Sequence, residues 1–128
     1  KVFMFDRELV VGSLEDILSV CEKIKERTVG ITCGDDFALS ADGMVKLDAV
    51  CMNLIAIGEA VKGLDRITDG QLLCNYPQVY WKGVMRMWDK IVHHYFEVDA
   101  DIVYNTISED IKPLAETIRQ IIKDLKAI

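Results

Sequence analysis

The 128-residue sequence predicts an all-α bundle of four to five antiparallel helices. Apolar residues recur at threes and fours over long stretches, which is the repeat of one helix face. No stretch alternates with period two for long enough to make a strand. Only two prolines occur, Pro77 and Pro113, and the connections between apolar stretches are short. That combination suits a helical bundle.

The first helix is expected from about Asp6 to Val29. Leu9, Leu14, Ile17, Leu18, Cys21 and Ile24 form its inner stripe, and Glu22 to Arg27 its charged outer face. Gly30 and TCGDD end it, with a short helical turn at Asp36 to Leu39. A second long helix is expected from Asp42 to about Leu64, with Leu47, Val50, Cys51, Leu54, Gly58 and Val61 facing inward. Gly58 costs ~1 kcal/mol of intrinsic helix stability. On an inner stripe that cost points to close approach by another helix. DRITDG, Asp65 to Gly70, reads as the exit and turn. Pro77 precedes a helix from Gln78 to about Tyr95. Asp99 suits an N-cap and Asp101 the positive first turn of a last helix. That helix is expected to reach Lys126, bent around Pro113.

The length fits one domain, residues 1–128, and allows a core without disulfides. With 51% hydrophobic and 28% charged residues, the composition is globular rather than disordered. The net charge of -6 argues against a broad phosphate-gripping face, yet leaves room for a small local RNA site. Cys21, Cys33, Cys51 and Cys74 contain no C-x-x-C pair, which disfavours zinc and suits a reducing cytoplasm. No signal peptide or span is expected. The longest apolar run, AVCMNLIAI, is broken by Asn53 and is far shorter than the ~20 residues a span needs. The chain opens on Lys1 rather than methionine, which suggests residues upstream.

The stretch WDKIVHHYF, Trp88 to Phe96, carries the chemistry-bearing residues. At ~100° per residue, Val84, Met87, Trp88, Ile91 and Tyr95 share one stripe. Lys82, Arg86, Asp89, Lys90 and His93 fall opposite. Two readings of this polar face stand. One is a solvated surface. The other is a site in which Asp89 orients His93, Arg86 holds a phosphate, and the imidazole moves protons near neutral pH. A metal held by His93 and His94 is disfavoured, because consecutive helix positions diverge by ~100°. No metal or other cofactor is expected.

The blocks DAV-x-x-NLIAIGEAVK (Asp48 to Lys62), YP-x-x-YWKGV (Tyr76 to Val84), HHYFEVDADIVYNTI (His93 to Ile107) and DIKPL (Asp110 to Leu114) appear in an order that resembles the HepT-like proteins of the HEPN superfamily. The resemblance covers nearly the whole chain. It implies a HEPN-type helical bundle and metal-independent cleavage of RNA. The family signature is an arginine, four residues, a histidine, one residue and a tyrosine. Here it places His93, Tyr95 and the polar Asp89, but Trp88 stands where arginine is implied.

The resemblance assigns His93 as general base toward a ribose 2′-hydroxyl, or as general acid toward the leaving oxygen. The arginine would stabilise charge at phosphorus, a role whose loss typically costs ~10²- to 10³-fold in rate. An indole has one N–H donor and no charge. Arg86 is a candidate substitute. The resemblance also implies a homodimer with a composite cleft, for which Met85, Trp88, Val92 and Tyr95 offer apolar contacts and Glu59 a polar one. A minimal nucleotidyltransferase antitoxin is the implied partner, attaching AMP to Tyr95. An alternative is an impaired HEPN module that binds nucleotide, RNA or that partner without cleavage.

Overall fold

The computed structural model describes residues 5–128; Lys1 and the three residues after it lie outside that range. Its helices are α1 (Arg7–Arg27), α2 (Asp35–Ala38), α3 (Ala41–Ile67), α4 (Trp81–His93), α5 (Ala100–Glu109) and α6 (Ile111–Lys126). Leu73–Asn75 and Tyr95–Glu97 form 3₁₀ turns. Among the described residues there is no strand, and the architecture is the all-α bundle that the apolar spacing predicts.

Helix α3 is central, packed against α1, α2 and α4, while α6 packs on α1 and α5. Val10, Leu14, Ile17, Cys21 and Ile24 bury one face of α1. Val50, Cys51, Leu54, Ile57, Gly58, Val61 and Leu64 bury the corresponding face of α3. Leu114, Ile118, Ile121 and Leu125 complete the core from α6. Leu9, expected inside, is exposed, and Val10 takes the inner position. The repeat 10, 14, 17, 21, 24 keeps one stripe facing α3 and α6, and position 9 falls off it.

Local chemistry sets the boundaries. Asp6 caps α1 by accepting from Leu9 N at 3.2 Å, and Ser40 caps α3 by accepting from Gly43 N at 2.9 Å. Helix α3 runs one turn past its expected end. It stops at Thr68, followed by Asp69 and Gly70 at positive φ. Inside α3, Asn53 is buried, and its Oδ1 accepts from the Arg27 guanidinium at 2.7 Å. A polar group in an apolar run is tolerable when so paired.

Further expected boundaries move. Helix α4 begins at Trp81, whose indole N–H donates to Tyr76 O at 2.9 Å and is thereby tied to the preceding loop. The expected last helix is two helices, broken at Asp110. Pro113 is the third residue of α6, where its missing N–H falls among amides that have no intrahelical acceptor. In a continuous helix its ring would clash with the Glu109 carbonyl. Asp99 caps α5 as expected, accepting from Asp101 N at 2.8 Å.

Candidate functional site

Helices α3 and α4 cross antiparallel. Trp88 lies against Gly58, and seven residues later Tyr95 reaches back to Asp48. A Cβ added to Gly58 would overlap the Cβ of Trp88 and stand 3.4 Å from Val84 O. The close helix approach expected at Gly58 is therefore made by α4, at the position where the signature arginine is implied.

Lys62 is one turn beyond Gly58 on the same face of α3. Its ammonium lies 3.8 Å from the centroid of the Trp88 ring and 3.4 Å from Asp89 Oδ1. The Asp89 carboxylate thus faces α3. Arg86 turns the other way: its guanidinium donates to Tyr80 Oη at 3.0 Å and lies 5.7 Å from that ring. Glu59 is exposed on α3 beside Gly58.

His93 is exposed and is the last residue of α4. His94 leaves the helical conformation, although its N–H still donates to Lys90 O at 2.9 Å. Its imidazole lies 3.8 Å from Glu97 rather than beside that of a helical His93 neighbour. Tyr95 sits in the following 3₁₀ turn, not on the α4 stripe. Its hydroxyl donates to the Asp48 carboxylate. That bond, more than burial, holds the phenol above its ordinary pKa. Spacing along α4 could not reveal either partner, since Asp48 and Lys62 both come from α3.

The signature residues occupy a surface rather than a closed pocket. Two cavities, of about 390 and 420 Å³, are lined by other residues: one between α3, α4 and the α5–α6 junction, the other between α1 and α6. Exposed apolar side chains stand on the same elements. Val92 is 43% exposed, Tyr95 45% and Phe96 100%, with Met52 exposed on α3. Among the described residues no helix is long and apolar enough to cross a membrane.

The model of the family described as Ribonuclease HepT-like matches residues 17–121, which include α3, α4 and every signature position. The chain belongs to the HepT-like ribonuclease family. Over 113 residues it is 34% identical to "Putative RNase TTE0752" of Caldanaerobacter subterraneus subsp. tengcongensis, covering 88% of this chain and 94% of that one. Over 101 residues it is 38% identical to "Probable ribonuclease HepT" of Thermococcus cleftensis, covering 79% and 84%. A shorter match, 77 residues at 46% identity, links it to "Putative RNase MJ0127" of Methanocaldococcus jannaschii and covers 57% of this chain but only 60% of that protein. No solved structure is a significant match. Within this HepT-like chain, Lys62, Trp88 and Asp89 bring together a cation, an aromatic face and a carboxylate, and the exposed His93 stands one helical turn beyond Asp89 on α4.

Proposed function

We propose that this chain is an RNA-cleaving toxin of a toxin–antitoxin pair, acting as a homodimer whose two α4 ends form one cleft. The observation that carries this reading is His93, exposed at the end of α4 within a HepT-like chain. An accessible imidazole can take the proton of a ribose 2′-hydroxyl as that oxygen attacks the adjacent phosphorus. From the other protomer, a second can give a proton to the leaving 5′-oxygen. No metal enters this scheme. The exposed Val92, Phe96 and Met52 supply the apolar area that a self-complementary two-fold contact needs.

Neutralisation by a minimal nucleotidyltransferase falls on Tyr95. Its phenol would attack the α-phosphorus of ATP and release pyrophosphate, leaving AMP on the oxygen. The added phosphate would place negative charge close to His93 and repel RNA. The exposed hydroxyl of Tyr95 supports this, and its proton already points at the Asp48 carboxylate.

The test is cleavage of single-stranded RNA and tRNA by purified protein in chelator, together with growth on expression. His93→Ala should cost ~10²- to 10⁴-fold in rate, the usual worth of a general acid or base, and should relieve growth arrest. Intact RNA with wild-type protein, and no change in cells with His93→Ala, would overturn the reading.

A second reading is favoured by Trp88. An indole at the arginine position suits a HEPN module that binds RNA, nucleotide or its nucleotidyltransferase without cutting. Trp88→Arg separates the two. A gain of ~10²- to 10³-fold in cleavage marks an intact site lacking its cation; no gain from a wild type that itself leaves RNA intact, with fold and dimer kept, marks a binding module.

A further inference from the structure

The geometry points to Lys62 as the phosphate-binding cation of this site, supplied from α3 in place of the arginine that α4 lacks at position 88. The inference rests on the RNA-cleaving reading above and names the group that would grip the substrate.

Three observations carry it. Gly58 removes the side chain that would hold α3 and α4 apart, so the next turn of α3 overhangs Trp88. The Lys62 ammonium then rests 3.8 Å from the Trp88 ring centroid, a cation–π distance. Asp89 Oδ1, at 3.4 Å, fixes it from the side. The positive charge therefore sits against the side chain of residue 88 itself, within the volume that a long cationic side chain from that position would reach. Its carboxylate partner lies on the helix face that carries the proton-transfer group. Asp89 precedes His93 by four residues, about 6 Å along the helix axis and on one face.

Arg86 is the less suitable donor, because its guanidinium is directed to Tyr80 at the start of α4. Lys62 keeps binding capacity in its present contacts. An ammonium has three donors, and Asp89 accepts one of them. The Lys62 side chain is 34% exposed and that of Asp89 52%, so the ion pair is open to solvent and to a competing phosphate. The indole holds the lysine stem in place without neutralising its charge. Tryptophan thus becomes a platform for a neighbouring cation rather than a simple loss of one.

The experiment measures binding of a short single-stranded oligoribonucleotide across a salt series, in a His93→Ala background so that cleavage does not intervene. Lys62→Met should weaken binding ~10-fold and lower the slope of log K against log salt by about 0.7, the loss of one phosphate contact on a single strand. Lys62→Arg should keep both affinity and slope. Adding Trp88→Arg to Lys62→Met should restore the slope, since a guanidinium then returns from α4. A purely packing role for Lys62 would alter thermal stability and leave the slope untouched. If Lys62→Met binds with wild-type affinity and slope, the Lys62 assignment is overturned while the RNA reading stands. If the His93→Ala protein with Lys62 intact binds no RNA at all, the RNA reading fails and takes the assignment with it. Should Lys62→Met misfold, Lys62→Gln keeps a polar surface and carries the same expectations.

Discussion

Gly58 of α3 and Trp88 of α4 meet with no room for one added carbon between them. This contact sets the spacing of the two helices that carry the signature surface. It explains a glycine at a buried position of a 27-residue helix, where its intrinsic cost would otherwise be unrewarded. It also places Lys62 and Asp89 within 3.4 Å, although they are 27 residues apart in sequence.

Gly58→Ala is expected to destabilise the fold by up to ~2 kcal/mol. Helix propensity alone would favour alanine by ~1 kcal/mol, while forcing a methyl into a packed contact costs ~1–3 kcal/mol. The overlapped atom is the Trp88 Cβ, which is tied to the α4 backbone and cannot swing aside as a side-chain tip could. Urea unfolding decides the sign: a more stable Gly58→Ala protein would show that α4 simply slides away.

Much of this arrangement was legible in sequence, and the remainder was not for a common reason. Spacing reports which residues share a face of one helix. It therefore located the buried stripes, the close approach at Gly58 and the exposed polar face of α4. It misplaced Tyr95, because nothing such as glycine or proline marks the end of α4 at His93. It marked Pro113 as a disturbance but not the break at Asp110, three residues earlier. Contacts between helices are beyond spacing altogether. Asp48 for Tyr95 and Lys62 for Trp88 are set by tertiary packing.

Removing the Asp48 carboxylate should lower the pKa of Tyr95. Its hydrogen bond to Asp48 is the main cause of the upward displacement, followed by burial and the Asp48 charge. A phenolate beside a carboxylate is disfavoured, so the neutral phenol persists to higher pH. Ultraviolet titration of tyrosinate in Asp48→Asn, with Tyr95→Phe variants to isolate the signal, should show ionisation at lower pH than in wild type. An unchanged curve would mean that the bond is not kept in solution.

The four thiols should divide into two pairs. Cys33 and Cys74 are exposed, whereas Cys21 and Cys51 are buried. Burial pushes the latter two up to about 11. At pH 8 only ~0.1% of such a thiol is thiolate, the form that reacts with alkylating agents. Mass spectrometry after brief iodoacetamide treatment should find two labels on folded protein and four after denaturation. Equal labelling of all four in the folded state would contradict the packing of α1 on α3.

Asp36 should contribute stability at neutral pH that fades in acid. Its Oδ2 accepts from Thr32 N at 2.7 Å and from Thr32 Oγ1 at 2.8 Å, closing the loop between α1 and α2 beside the buried Phe37. These bonds, the backbone one first, hold its pKa below the ordinary carboxylate value. A folded pKa below the unfolded one gives stabilisation that is complete above the unfolded value. It is lost as pH falls through the folded value. Asp36→Asn should therefore melt below wild type at pH 7, and the gap should narrow as the pH drops beneath the ordinary carboxylate range. A gap that stays constant with pH would assign the effect of Asp36 to shape rather than charge.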